Sequence, residues 1–262
     1  MHTVRPPAVA GLFYPADAEE LRTLVNDLLR HAPETDAEPP KAVIAPHAGY
    51  VYSGPVAASA YARLRPLREQ ITRVALLGPA HRVAFRGLAA SSADAFRTPL
   101  GDIPLDTAAV AMLARLPQVR VLDDAHALEH SLEVQLPFLQ TVLGPFTLIP
   151  LVVGDAGYTE VTEVLDLLWG GPETLIVISS DLSHYHDYAT AQRLDRATSA
   201  AIEALAPERI DYDDACGRTP VGGLLQAARA RGLHAQTVDL RNSGDTAGPR
   251  NQVVGYGAYA IG

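Results

Sequence analysis

Three histidines follow three apolar runs at the same relative position, and imidazole is the side chain that most often binds first-row transition metals in proteins. His47 lies in Ala-Pro-His-Ala-Gly, His81 in Gly-Pro-Ala-His and His184 in Ser-Ser-Asp-Leu-Ser-His. Each preceding run is typical of a strand buried on both faces, and open α/β sheets bind ligands beyond the carboxyl ends of their strands. The sequence therefore predicts one metal site built from these three histidines.

An ordinary loop position is the alternative for any single histidine, because the chain has nine of them. Three histidines in turns rich in glycine and proline, each after a strand, favour a shared site. His130 adds a fourth imidazole, flanked by Glu129 and Glu133. If residues 128–143 form a helix, His130 and Glu133 share one of its faces. That pair either points at the histidines as acid-base groups or forms a solvated face, and both interpretations stay open.

Other polar residues near these strands are candidates for a binding pocket. Asp181 lies in the loop of the third histidine, where it could orient a ligand or bind metal itself. Tyr50 could line a pocket beside the first histidine, although tyrosine in a loop more often packs. Cys216 and Arg218 open a predicted helix, whose N-terminus favours an anionic group. Residues 242–246, which follow a late strand, could contribute to the same anion site. The alternative is that both segments are ordinary turns.

The elements that position these residues alternate along the chain. Apolar runs predict strands at residues 41–45, 73–78, 146–153 and 174–179, and later strands at 235–240 and 252–261, for which an antiparallel pairing is open. Helical spacing of apolar residues predicts helices at 18–29, 55–67, 107–116, 128–143, 159–169, 188–205 and 222–231. This alternation predicts a single α/β domain over residues 1–262, with a mainly parallel or mixed central sheet flanked by helices.

Composition excludes several classes of partner. The formal net charge is −9, and no basic run is present that would bind a phosphate backbone, so we expect no nucleic acid partner. No apolar stretch approaches membrane-spanning length, and the first ten residues carry no hydrophobic signal segment, so we expect a cytoplasmic protein with no membrane partner. Cys216 is the only cysteine, which rules out an intramolecular disulfide and fits a reducing compartment.

Six segments of the chain resemble the Memo family in their order and spacing. They are residues 4–15, 45–50, 78–81, 129–133 (Glu-His-Ser-Leu-Glu), 179–184 and 216–220 (Cys-Gly-Arg-Thr-Pro). Prokaryotic members of this family are called AmmeMemoRadiSam system protein B. The resemblance runs nearly end to end and implies a fold similar to the class III extradiol dioxygenases of the LigB type. It also implies AMMECR-like and radical SAM proteins as partners, beside a small-molecule or peptide ligand.

The resemblance further implies a metal and its ligands. LigB-type enzymes hold non-haem Fe(II) with two histidines and a carboxylate, so Fe(II) is the expected metal here, with zinc or copper as alternatives. His47 and His81 match the two histidine ligands, and His184 matches the additional histidine, which is expected to act as acid and base or to join the ligands. Animal members have a further cysteine ligand, which the resemblance matches to residues 242–246, where this chain has none.

A carboxylate is therefore expected to complete the ligand set. Asp245 is the first candidate and Glu133 the second, while Asp181 is better suited to hydrogen-bond a ligand than to coordinate. If they are not ligands, Glu133 and His130 are expected to be catalytic residues together with His184.

Three functions fit these expectations. The first is a non-haem iron oxidoreductase with dioxygenase-like activity on a catechol-like or other small oxygenated substrate. The second is a zinc-type hydrolase. The third is a non-enzymatic metal- or peptide-binding partner in a multi-protein system. A nucleotide-binding protein is a poor fit, because no GxGxxG or Walker-type loop follows any predicted strand.

Overall fold

Four buried apolar strands form the parallel centre of a mixed sheet in the computed structural model, which describes residues 3–34 and 37–262. The strands are β1 (Val4–Arg5), β2 (Ala42–Ala45), β3 (Arg73–Pro79), β4 (Leu88–Ala90), β5 (Ala95–Thr98), β6 (Gly101–Pro104), β7 (Val119–Val121), β8 (Thr147–Val153), β9 (Thr174–Ser179), β10 (His184–His186), β11 (Ala235–Asn242) and β12 (Val253–Ile261). The helices are α1 (Ala18–Arg30), α2 (Tyr50–Ala62), α3 (Thr107–Leu113), α4 (Asp124–Ala127), α5 (Leu136–Val142), α6 (Tyr158–Leu168), α7 (Tyr188–Glu203), α8 (Arg218–Ala230) and α9 (Ser243–Thr246).

The main sheet has the strand order β10-β12-β2-β9-β3-β8-β4-β7, and β11 also pairs with β12. Strands β2, β9, β3 and β8 are parallel to one another, whereas β12 and β4 run antiparallel to β2 and β8. The predicted class, a single α/β domain with a mixed sheet, is confirmed. A second sheet of order β1-β5-β6 was not predicted, because its strands are two to four residues long and carry too little apolar pattern to stand out.

The central strands are buried along almost their whole length because helices cover both faces of the sheet. One apolar core lies between the sheet and the layer that contains α1, α2 and α5, and a second lies between the sheet and α6 and α8. Helix α1 begins where predicted, because the Asp17 carboxylate accepts hydrogen bonds from the amides of Glu19 and Glu20. Helices α2 and α8 begin earlier than predicted, so Pro55 and Gly222 lie inside them.

The helix predicted over residues 128–143 is wrong in its first half. Helix α5 covers only Leu136–Val142, and a 3-10 turn, Glu133–Gln135, precedes it. The Glu129 carboxylate accepts hydrogen bonds from the amides of His130 (3.0 Å) and Ser131 (2.9 Å), so the chain turns where a helix would continue. His130 and Glu133 therefore do not share a helix face.

Among the described residues, none of the helices combines the length and apolar character needed to cross a membrane.

Candidate metal centre

The loops after β2 and β3 bring two of the predicted histidines together at the carboxyl edge of the sheet. The ring centroids of His47 and His81 are 5.2 Å apart. The third ring in contact with them is His130, whose centroid lies 5.6 Å from that of His47 and 4.7 Å from that of His81. His130 reaches this position from the loop after α4, a segment that runs across the end of β3.

A thiol completes the group. Cys216 immediately precedes Gly217 and α8, and its Sγ lies 3.3 Å from Nε2 of His47. His47, His81 and Cys216 each offer one donor atom, and these atoms all lie within 4.8 Å of one another. Two imidazole nitrogens and a sulfur are donors that zinc, copper and iron all accept in proteins.

Hydrogen bonds fix which nitrogen of His47 is free. Its Nδ1 lies 2.8 Å from Ser179 Oγ. That hydroxyl donates its proton to the Ser131 carbonyl (2.6 Å) and accepts a bond from Gln135 Nε2 (2.7 Å), so it acts as an acceptor toward His47. Nδ1 of His47 therefore carries the proton, and the lone pair of Nε2 faces Cys216.

Glu129 fixes His81 in the same way. Its Oε1 lies 2.9 Å from Nδ1 of His81, and its Oε2 accepts the amide of His81 at 2.6 Å. With the amides of His130 and Ser131, this carboxylate accepts four bonds, so Glu129 orients His81. His81, Glu129 and His130 also offer donor atoms within 4.8 Å of one another, beside the first group. Burial raises the pKa of Glu129, but the hydrogen bond and charge of His81, together with the amides, outweigh it and hold the pKa at about 2.

Two of the three donors, His47 and Cys216, are held in their uncharged forms when no cation is bound. Burial, followed by the charges of His81 and His130, lowers the pKa of His47 well below its usual value. Burial, followed by the charge of Asp181, raises the pKa of the Cys216 thiol to about 12. Burial also raises the pKa of Asp181, against the opposing effects of the His47 amide and of His184. A bound cation would reverse the balance at the sulfur and favour the thiolate.

A cavity of about 1270 Å³ opens beside the donors, and its wall includes His81, His184, Cys216 and Arg218. The guanidinium of Arg218 lies over the ring of Tyr212, 5.3 Å from its centroid. His184 thus lies on the wall of the cavity and outside the group of three donors. Asp181 is buried behind the site, where its Oδ1 accepts the amide of His47 at 2.7 Å.

Asp245, the expected third ligand, does not converge with the three donors. Its carboxylate accepts the amide of Asn242 at the start of α9 (3.0 Å) and the hydroxyl of Tyr188 at the start of α7 (2.5 Å). It belongs to neither group of described His, Cys, Asp and Glu residues whose donors converge. The structure brings a cysteine to the site after all, from position 216 rather than from residues 242–246.

Glu133 and Tyr50 also lie away from the positions expected of them. Glu133 is buried against the N-terminal segment, where it pairs with Arg5, and it does not line the cavity. Tyr50 is buried in the core, and its hydroxyl donates to the Val134 carbonyl (2.6 Å), so it does not line the cavity. Ser179 was not predicted as an orienting residue. The signal for it was a polar residue at the end of an otherwise apolar strand.

Comparison with known proteins places these features in a family. Residues 5–260 match the family described as Memo-like protein. The chain is 38% identical over 265 residues to a MEMO1 family protein of Aquifex aeolicus, with 97% of each chain covered. It is 39% identical over 288 residues to a MEMO1 family protein of Methanopyrus kandleri, with 98% of each chain covered.

Among solved structures, an uncharacterized protein from Escherichia coli K12 matches with a TM-score of 0.56 and 12% identity, covering 84% of this chain and 98% of that one. At that identity the likeness shows the fold alone. The fold fits the dioxygenase-like architecture expected from the sequence.

Proposed function

Since the chain belongs to the Memo family, we propose that it is a metal-dependent oxidoreductase whose metal is bound by His47, His81 and Cys216. One observation carries the proposal. Both histidines have Nδ1 engaged by a fixed acceptor, which leaves each Nε2 free, and the sulfur lies within 4.8 Å of the histidine donors. A site prepared in this way is typical of metal ligands held by a surrounding shell of hydrogen bonds.

We propose Fe(II) as the metal, with copper or zinc as alternatives. Neutral imidazoles and an ionisable thiol fit each of these ions. As the third donor, the soft sulfur suits copper and zinc better than a carboxylate would. When bound, iron or copper would supply Lewis acidity and one-electron redox chemistry. The neighbouring cavity gives a small oxygenated substrate, such as a catechol-type diol, access to the centre.

The other polar residues then have defined tasks. His184, on the cavity wall, exchanges a proton with a substrate hydroxyl. Burial lowers the pKa of His130, and the charge of His81 adds to this effect against the opposing carboxylate of Glu129. His130 is therefore neutral near pH 7 and able to accept a proton. Arg218 offers its guanidinium to an anionic oxygen of the substrate.

Zinc-type hydrolysis is the second candidate, because catalytic zinc sites also combine histidine and cysteine donors with an open position. A non-enzymatic binding role is the third. The cavity beside the donors favours the two enzymatic functions over it. The AMMECR-like and radical SAM partners, and a cytoplasmic location, stay predictions that co-purification and fractionation would test.

The experiment begins with protein purified without chelators and without a histidine tag. Its metal content is measured, and the metal-free form is titrated anaerobically with Fe(II), Cu(I) and Zn(II). Oxygen consumption is then followed with a panel of catechols and with ester substrates as the hydrolase control. One equivalent of Fe(II) or copper and substrate-dependent oxygen uptake would support the proposal. Ester hydrolysis with zinc would favour the second candidate, and failure to bind any of the three ions would refute a metal-dependent function.

A further inference from the structure

A buried ion pair joins the N-terminal segment to the loop that carries the orienting groups. The side chains of Arg5 and Glu133 form a salt bridge and are 6% and 0% exposed. Taking two charges out of water is costly, and replacing such a pair by apolar residues often leaves stability unchanged or improved. A gain in stability therefore does not by itself explain the pair. The other hydrogen bonds of Arg5 and Glu133 suggest a different role.

The guanidinium of Arg5 donates hydrogen bonds to three residues of one short segment. Its Nε donates to the carbonyl of His126 (3.0 Å), its Nη2 donates to the carbonyl of Glu129 (2.7 Å), and its Nη1 binds the Glu133 carboxylate. Most of residues 128–132 has no regular helical bonding, so these contacts fix backbone that would otherwise be free to adjust. Glu129, whose carboxylate orients His81, lies in the middle of this segment.

Glu133 binds the N-terminal segment, on the other side of the ion pair. Its oxygens accept the amides of Ala8 (2.7 Å) and Val9 (3.0 Å) and the hydroxyl of Tyr14 (2.5 Å). These bonds anchor residues 8–14, and within them Phe13 packs its ring 4.9 Å from that of His130. The carbonyl of Phe13 also accepts the amide of Tyr50 (2.8 Å), where α2 begins after the His47 loop.

We propose that Arg5 and Glu133 are a positioning pair for the metal centre. Arg5 sets the backbone of Glu129 so that its carboxylate holds His81 in the Nδ1–H tautomer, and Glu133 holds Phe13 against His130. The consequence for metal affinity rests on the function proposed above. The consequence for the tautomer of His81 does not, because it concerns the metal-free protein.

The test compares Arg5→Lys with Tyr14→Phe. Lysine keeps the charge opposite Glu133, but its single ammonium replaces a guanidinium that reaches three separate acceptors. Phenylalanine removes one bond to Glu133 and leaves every bond of Arg5 in place, so it is the matched control. Both proteins are studied metal-free by 15N NMR of the histidine rings and then titrated with Co(II) as a spectroscopic probe.

We expect the neutral His81 ring to be the Nδ1–H tautomer in wild type and Tyr14→Phe, and a mixture of tautomers in Arg5→Lys. The Co(II) dissociation constant should rise by about 10-fold or more in Arg5→Lys and by less than about 2-fold in Tyr14→Phe, because loss of support around metal ligands typically weakens binding by 10- to 100-fold. If Arg5→Lys does not fold, Glu133→Gln, which keeps the volume and one acceptor oxygen, takes its place, with a loss of Co(II) affinity of about 10-fold expected.

An unchanged His81 tautomer together with unchanged Co(II) affinity in these variants would overturn the proposal, even if the proteins were less stable. If wild type bound no Co(II), the proposed function would fail, while the NMR comparison would still decide whether the pair positions His81. A mixed tautomer in Tyr14→Phe as large as that in Arg5→Lys would also overturn it, because a general loosening of the segment would then explain both.

Discussion

The thiol of Cys216 lies 3.3 Å from Nε2 of His47, although 169 residues separate the two in sequence. The imidazole is presented by the loop after β2, whereas the thiol comes from the turn before α8. Because Nδ1 of His47 already donates to Ser179, the nitrogen that faces the sulfur has a free lone pair. This relationship makes the thiol a member of the site rather than an isolated buried cysteine.

Replacing Cys216 by alanine is expected to weaken metal binding by more than about 100-fold, since loss of a direct donor should exceed the 10- to 100-fold effect of losing an orienting partner. Anaerobic titration with Co(II) measures this directly, and the sulfur-to-metal charge-transfer band of wild type should disappear. Wild-type affinity in Cys216→Ala would remove the thiol from the donor set.

Asp245→Ala is expected to bind metal as wild type does, because one carboxylate oxygen accepts the amide of Asn242 at the start of α9 and the other accepts the hydroxyl of Tyr188 in α7. The variant should lose about 1 kcal/mol or less of unfolding free energy, the usual effect of removing a polar contact at a helix start. Urea unfolding and the same Co(II) titration measure the two quantities on one preparation. A loss of affinity here that matched that of Cys216→Ala would contradict the assignment of ligands.

Glu129→Gln should weaken metal binding by about 10- to 100-fold without removing a ligand. The carboxylate accepts four N–H groups, and an amide offers only one oxygen, so His81 loses its fixed orientation. Glu160→Gln is the control, because Glu160 accepts a single amide, that of Gly157, at the start of α6. Equal affinities in the two variants would show that orientation of His81 does not matter.

Acid should destabilise the protein through His126, which lies outside the metal site. Burial, with the charge of Arg5, lowers its folded-state pKa to about 4 although the Ala89 carbonyl opposes the shift, whereas the unfolded value is about 6.5. Below pH 6.5 the unfolded chain therefore binds a proton that the folded chain does not. The contribution of neutral His126 to the free energy of unfolding is fully present above that pH. It falls by up to about 3 kcal/mol as the pH drops toward 4.

His126→Gln isolates this effect, because its amide can still donate to the Ala89 carbonyl, as Nε2 of His126 does at 3.0 Å. Urea unfolding between pH 4 and 8 should show a flatter pH dependence in this variant than in wild type. His31→Gln, at an exposed position, should retain the wild-type slope. Identical slopes in all three proteins would assign the acid sensitivity to other groups.

Gly87→Ala should be strongly destabilising. Gly87 has a φ of +83°, and an added Cβ would lie 2.1 Å from the carbonyl oxygen of Gln118. We expect a loss of about 3 kcal/mol or more, from backbone strain together with the steric clash. Gly101→Ala shares the positive φ (+125°) but meets no atom within 4 Å, so its smaller loss measures strain alone. Comparable urea midpoints for the two variants would contradict the steric explanation.

The sequence predicted what depends on apolar patterning. Continuous apolar runs identified the four central strands, and their ends identified the loops of His47 and His81. It did not predict contacts between distant side chains, which no local pattern encodes. Glu133 has the spacing of an acid-base residue, yet its partner is Arg5, 128 residues earlier. Glu129 and Glu133 are chemically identical, and only the turn that replaces the expected helix decides which of them faces His81.

The three donors come from residues 47, 81 and 216, and their orienting partners from residues 129 and 179. Contacts so far apart in the chain form late, because long stretches of backbone must be ordered before such groups meet. Metal uptake should therefore lag behind the recovery of helical signal during refolding and report completion of the whole domain. A metal that binds only the folded protein also stabilises it against unfolding and the degradation that follows. A cell that supplies the ion would therefore retain the protein longer than one that does not.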